Sequence, residues 1–221
     1  MTDTVLVTGA SGYIAGYCIV ELLREGYRVK GTLRSLQRSD EVRNNLGQAV
    51  DAGDRLTFVA ADLTDDAGWS EAVQGCRYVL HVASPFIADT PRDPDELIVP
   101  ARDGTLRVLR AAARAGVQRV VQTSSLAAVM YGKESTDGHV FTEEDWTNPD
   151  HQDNSAYTRS KAIAEKAAWD ALPNVGQGLQ WTAINPGLVL GPLLCRDTSA
   201  SIELIRKCMS GELPGSARIG Y

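Results

Sequence analysis

Short apolar runs rich in β-branched residues recur along this chain, separated by longer stretches of helical periodicity. The runs predict strands at Val5–Val7, Arg28–Leu33, Leu56–Ala60, Arg77–Val82, Arg119–Thr123 and Trp181–Asn185. Between them the spacing predicts helices over Tyr17–Glu25, Ser39–Ala52, Asp66–Gln74, Asp95–Ala115, Ser155–Leu172 and Ser199–Ser210. Strand and helix alternate throughout, so the expected class is α/β, a mostly parallel sheet with helices on both faces and right-handed crossovers. The doubly wound order 3-2-1-4-5-6 is the expected one, with ligand lying across the carboxyl ends of the strands where the order reverses.

The first strand runs into Thr8-Gly9-Ala10-Ser11-Gly12-Tyr13-Ile14-Ala15-Gly16. Gly9 allows a sharp turn, and Gly12 lets backbone N–H groups approach a phosphate with no Cβ in the way. Ala15 or Gly16 allows close packing of helix on strand. The helix that follows points free N–H groups and its positive dipole end at the same place. An ordinary tight turn would use similar residues, but a βαβ unit of about thirty residues around the motif is the context a dinucleotide fingerprint demands.

Composition narrows the remaining classes. A chain of 221 residues, 43% hydrophobic, can bury one sizeable core. Its net charge of −6 and lack of a basic run argue against nucleic acid as a partner. Cys18, Cys76, Cys195 and Cys208 are scattered without CxxC or Cys/His spacing, and His81, His139 and His151 have no metal spacing. Structural thiols and histidines in a reducing compartment, and no metal, are expected. The apolar runs fall far short of the roughly 20 residues that span a bilayer, so a cytoplasmic protein off the membrane is expected.

The second constellation is Tyr157-Thr158-Arg159-Ser160-Lys161, within a helical stretch. A spacing of four puts the phenol and the ammonium on one helix face. A free tyrosine titrates near pH 10 and a neighbouring cation favours its phenolate, so the pair suits proton transfer to or from a carbonyl oxygen. Upstream, Thr123-Ser124-Ser125 places hydroxyls at the carboxyl end of a strand, where ligands of such sheets bind. Strand alternation sends Ser124 and Ser125 to opposite sides, and the sequence leaves open which of them faces the cleft.

Together with Asp62-Leu63, His81-Val82-Ala83-Ser84-Pro85 and Asn185-Pro186-Gly187, these motifs resemble the extended short-chain dehydrogenase/reductases along essentially the whole chain. Gly26-Tyr27-Arg28-Val29-Lys30-Gly31-Thr32-Leu33-Arg34 and Ala164-Glu165-Lys166-Ala167-Ala168-Trp169 look most like the dihydroflavonol reductase, cinnamoyl-CoA reductase and yeast-type ketone (methylglyoxal) reductase branch. The resemblance implies a Rossmann-like fold and a trio of Ser125, Tyr157 and Lys161, with Tyr157 as proton donor, Lys161 also on the nicotinamide ribose and the serine on the substrate carbonyl. It implies further cofactor contacts at Gly9, Ser11, Gly12, Tyr13 and Ile14, at Asp62 and Leu63 along the adenine, and at Val82, Ala83, Ser84 and Thr123. Pro186, Gly187 and Val189 would lie near the nicotinamide.

Cofactor preference is expected at the end of the second strand. An NAD site usually offers Asp or Glu there, whereas this chain reads Gly31-Thr32-Leu33-Arg34. Arg34, assisted by Arg38, fits the 2′-phosphate of NADP(H). The resulting expectation is an NADPH-dependent oxidoreductase reducing a small-molecule ketone or aldehyde to an alcohol, as a monomer or homodimer. Residues 1–186 would form the NAD(P)-binding domain and 187–221 the beginning of a substrate lobe. Members of the family normally continue beyond this point, so a fragment is expected, a natural short form being the alternative. The other readings are an NAD-retaining sugar-nucleotide epimerase or dehydratase of the same fold, and a non-catalytic dinucleotide sensor. The loop Tyr131–Asn154, with Lys133, Glu134, Glu143, Glu144, Asp145 and Trp146, reads as a solvated flap.

Overall fold

The computed structural model describes residues 2–85, 91–132, 138–176, 178–194 and 200–212. Cys195, Lys133 and Glu134 lie outside the described residues, as does the stretch 213–221. The first half of the chain forms β1 (Thr4–Val7), α1 (Tyr13–Arg24), β2 (Arg28–Leu33), α2 (Ser39–Gly47), β3 (Leu56–Ala60) and α3 (Trp69–Val73). The second half forms β4 (Tyr78–His81), α4 (Asp95–Arg114), β5 (Arg119–Thr123), α5 (Ala156–Val175), β6 (Gln180–Ile184) and α6 (Ala200–Ser210). The six strands make one sheet in the order β3-β2-β1-β4-β5-β6, every pair parallel. That is the expected doubly wound arrangement, with the reversal between β1 and β4.

Strand alternation divides the core. Leu6 and Val7 are adjacent and both wholly buried, yet they belong to different apolar clusters. Leu6 packs with Trp69, Val79, Val108, Leu109 and Val120 beneath α3 and α4. Val7 packs with Ile19, Leu23, Val29, Leu46 and Leu56 beneath α1 and α2. Both faces of the central strand are covered, which is why its sequence is a continuous apolar run rather than an alternating one. At the β6 end, Trp169 of α5 meets Trp181 edge-to-face with ring centroids 4.7 Å apart.

Several boundaries differ from expectation. α1 begins at Tyr13, four residues early, because the helix starts directly after Gly12, whose extended backbone (φ −77°, ψ 158°) caps it. α2 ends at Gly47 rather than Ala52. α5 runs past Leu172 to Val175, with Pro173 in the last turn, where only one ladder bond is lost. β6 is shifted back by one residue, since Gln180 pairs with Arg119 and Asn185 leaves the ladder to use its side chain elsewhere.

Candidate active site

A cleft of about 790 Å³ opens at the carboxyl ends of the strands, where the order reverses. One wall is the glycine turn. Gly9 holds φ +70°, and a Cβ there would stand 3.0 Å from the Cβ of Ala83, so the backbones of the β1 and β4 loops touch. Gly31 allows an equally close approach from β2, since a Cβ on it would lie 2.7 Å from that of Ala10. The cleft is lined here by Gly9, Ser11, Gly12, Tyr13 and Ile14, and opposite by Val82, Ala83 and Ser84. No side chain caps α1 and its first turn carries no acidic residue, so the leading amides face the cleft as donors at the positive end of the helix dipole. A cradle of backbone donors, built on glycines that let the β1, β2 and β4 ends pack this closely, fits a pyrophosphate.

The far end is lined by Arg34, Asp62 and Leu63. Asp62 Oδ1 accepts from the amide and the hydroxyl of Thr64, both at 2.8 Å. Those bonds, foremost the one from the Thr64 amide, hold its carboxyl below the ordinary aspartate range, with help from the Arg34 and Arg107 guanidiniums. Arg38 also lines the cleft but lays its fork on Glu41, Nε to Oε2 at 3.1 Å and Nη2 to Oε1 at 3.2 Å. Thr32, where a carboxylate was sought, is buried, and its hydroxyl accepts from the Gly9 amide at 2.9 Å. Its side chain is therefore turned toward the glycine turn.

The near end brings together Thr123, Ser125, Tyr157, Lys161, Pro186, Gly187 and Val189. Ser155 starts α5 by accepting from the Thr158 amide at 3.1 Å, which sets the register of the two functional side chains one turn apart. Tyr157 is 47% exposed while Lys161 is 9% exposed, and the Lys161 ammonium lies 5.8 Å from the centre of the Tyr157 ring. Burial pulls the Lys161 ammonium down to about 8, and the charge of Glu165 opposes that fall. Both serines line the cleft but make different contacts. Ser124 is buried and donates to Glu165 Oε2. Ser125 Oγ accepts from the Ala127 amide at 3.1 Å, which leaves its own proton to donate to an oxygen in the cleft.

Every residue expected to contact cofactor or substrate thus lines this single cleft. A buried polar layer beneath it was not foreseen. Thr8 Oγ1 accepts from the Ala83 amide at 2.9 Å and is hydrogen bonded to His81 Nδ1 at 3.0 Å. His81 is wholly buried, and desolvation, aided by the Lys161 charge, takes it down to about 3, so its ring is neutral. Beside it, Gln122 Oε1 is buried with no hydrogen-bond partner among the described residues. Glu165 and Asn185 complete the layer. They were visible in the sequence only as parts of longer motifs, because their partners are remote in the chain. Among the described residues no cluster could hold a metal ion, and no helix is long and apolar enough to cross a membrane.

A parallel, doubly wound sheet with a glycine cradle at its switch point defines a dinucleotide-binding protein. The chain belongs to the NAD dependent epimerase/dehydratase family, whose model it matches over residues 5–219. It is similar to cinnamoyl-CoA reductase 1 of Petunia hybrida, 40% identical over 211 residues that make up 95% of this chain and 61% of that one. It is 35% identical over 213 residues to dihydroflavonol 4-reductase of Hordeum vulgare, covering 94% of this chain and 59% of the relative. Among solved structures, yeast methylglyoxal/isovaleraldehyde reductase Gre2 complexed with NADPH superposes with a TM-score of 0.82 at 30% identity, covering 94% of this chain and 66% of the other. The chain therefore spans about three fifths of the length of the curated relatives it matches.

Proposed function

We propose that the protein is an NADPH-dependent reductase that converts a ketone or aldehyde carbonyl to an alcohol, with residues 1–186 holding the cofactor and residues 187–221 on the substrate side. The observation that carries this reading is the meeting of Ser125, Tyr157 and Lys161 at one end of a cleft whose other end presents Arg34. When bound, the nicotinamide supplies the hydride. Ser125 orients the carbonyl oxygen through its free proton, and the exposed Tyr157 phenol donates the proton that the forming alkoxide needs. Lys161 holds positive charge beside the phenol and bonds the ribose. Arg34 binds the 2′-phosphate, and the α1 amides bind the pyrophosphate. Similarity to reductases of cinnamoyl-CoA, dihydroflavonol and methylglyoxal supports carbonyl reduction.

The family also includes epimerases and dehydratases, which is the second reading. The missing carboxylate near Thr32 weighs against a tightly kept NAD, and the retention of both Tyr157 and Lys161 weighs against a cofactor sensor without chemistry. A cytoplasmic setting is part of the proposal, in keeping with free thiols at Cys18, Cys76 and Cys208. The test is oxidation of NADPH by purified protein with a panel of aromatic and aliphatic ketones and aldehydes. Carbonyl-dependent loss of NADPH absorbance is expected. Co-purification of NAD with no such turnover would favour the epimerase reading, and cofactor binding without turnover the sensor.

A further inference from the structure

Glu165 is 6% exposed, on the buried face of α5 one turn beyond Lys161. A carboxylate taken out of water is costly unless its oxygens are bonded and a counter-charge lies near. The hydrogen bonds are in place here, and Lys161 lies one turn away on the same buried helix face. Glu165 Oε2 accepts from the Ser124 hydroxyl at the end of β5 and from Asn185 Nδ2, just past β6, at 2.8 Å. The same Asn185 amide donates to the carbonyl of Ser125 at 3.1 Å. One side chain thus fastens α5, which carries Tyr157 and Lys161, to the strand end that carries Ser125.

We propose that Glu165 is a positioning residue for this site: it locks the Ser125 loop to α5 and sets a carboxyl one turn from Lys161 on the helix face that carries Tyr157. The proposal rests on the reading of Ser125, Tyr157 and Lys161 as the chemical trio. A glutamine could accept the same two hydrogen bonds, so hydrogen bonding alone does not account for a buried charge at this position. Lys161 does account for it. Burial drives the Lys161 ammonium down to about 8, and Glu165 is the group that opposes the fall. The other ionisable groups near Lys161 are Tyr157 on its own helix and His81 on β4, which is neutral above about 3 and supplies no anion. The buried residues of α4, which packs along α5, include no charged side chain, and the 126–128 turn is Leu126-Ala127-Ala128. Glu165 is the one carboxyl side chain among these groups, four residues from Lys161 on the same buried face of α5. A lysine titrating near 8 is about nine-tenths protonated at pH 7, and a further fall of about one unit would leave about half.

The experiment is a pH titration of the Lys161 Cε resonance in protein carrying ¹³C-labelled lysine, for wild type, Glu165→Gln and Ser124→Ala, with no substrate present. The Lys161 midpoint should fall by about one unit in Glu165→Gln, a tenfold loss in proton affinity. It should not fall in Ser124→Ala, which removes one hydrogen bond and keeps the charge. An unmoved midpoint in Glu165→Gln, or an equal fall in both variants, overturns the proposal. If Glu165→Gln does not fold, Glu165→Asp, which withdraws the carboxylate by one methylene, should shift the midpoint the same way by less, and no shift overturns the proposal. Where carbonyl turnover is measurable, the alkaline limb of the kcat/KM profile of Glu165→Gln should move toward lower pH by the same interval. Because the resonance titration needs no turnover, failure of the reductase reading would show as inactive wild type with the Lys161 shift intact.

Discussion

Thr8 and His81 are hydrogen bonded across the switch point, hydroxyl to Nδ1 at 3.0 Å, and the hydroxyl is oriented by the Ala83 amide behind it. Burial, aided by the Lys161 charge, holds this imidazole neutral. His81 titrates near 3 in the folded chain against 6.5 for an unhindered histidine. Between those values the unfolded chain binds a proton that the native state refuses, so stability is full above about 6.5 and drains away as pH falls. The contribution is about 1.4 kcal/mol per pH unit, or about 2 kcal/mol between pH 6.5 and 5. His81→Asn, whose amide oxygen can accept from Thr8, should be less stable at pH 7 yet lose less on acidification across that interval. Urea unfolding at the two pH values checks this; parallel losses in both proteins would assign the sensitivity to other groups.

Gly31→Ala should destabilise the protein without touching the chemistry. The added methyl would stand 2.7 Å from Ala10 Cβ and 3.0 Å from Phe58 Cδ1, and Ala10 sits within the glycine turn. Overpacking of this kind costs about 1–3 kcal/mol, which in a chain of this size lowers Tm by about 2–4 °C per kcal/mol. Displacing Ala10 should also weaken cofactor. Thermal melting and a cofactor titration read the two effects, and an unchanged Tm would mean that β2 and the turn separate freely.

Much of this was legible in the sequence, for reasons that differ by element. The sheet order followed from strand-helix alternation, and the glycine turn from residues whose backbone requirements are local. Strand ends were legible only to within a residue or so. Asn185 was read as the last residue of β6, but a local run cannot show that its amide is needed at Glu165 and Ser125. The end of β2 was read for its missing carboxylate, whereas the Thr32 hydroxyl there serves the Gly9 amide 23 positions away. That Ser124 is held by Glu165, 41 residues on, was likewise out of reach of a local reading. What could not be read was in each case a hydrogen bond between residues distant in the chain.

Tyr157→Phe should abolish carbonyl reduction and leave NADPH affinity nearly unchanged, because the phenol is distant in role from the phosphates. General acid catalysis is worth about 10²- to 10⁴-fold, so a rate loss below tenfold would exclude Tyr157 as the acid. Lys161→Met should damage both rate and binding if the ammonium serves the phenol and the ribose as proposed. Single-turnover rates and a fluorescence titration separate the two; intact binding in Lys161→Met would remove the ribose from its duties.

Arg34 should carry most of the preference for NADPH over NADH. It stands exposed at the end of the cleft proposed for the adenosine, close enough to Asp62 to help hold that carboxyl ionised. The neighbouring Arg38 has its fork already on Glu41, so a 2′-phosphate would have to compete for it. A charge-assisted hydrogen bond contributes about 1.5–3 kcal/mol, and each 1.4 kcal/mol is tenfold in affinity, so Arg34→Ala should weaken NADPH by about 10- to 100-fold. NADH should barely change. Arg38→Ala should cost less than Arg34→Ala, and Glu41→Gln, by loosening the hold on Arg38, should tighten NADPH selectively. An aspartate placed at Thr32 would face the glycine turn and damage binding of both cofactors alike, so it would not exchange one for the other. The deciding measurement is the Kd for each cofactor, by fluorescence titration, in wild type, Arg34→Ala and Arg38→Ala. Equal losses for NADPH and NADH in Arg34→Ala would mean that Arg34 supports the fold or the adenine and does not read the phosphate.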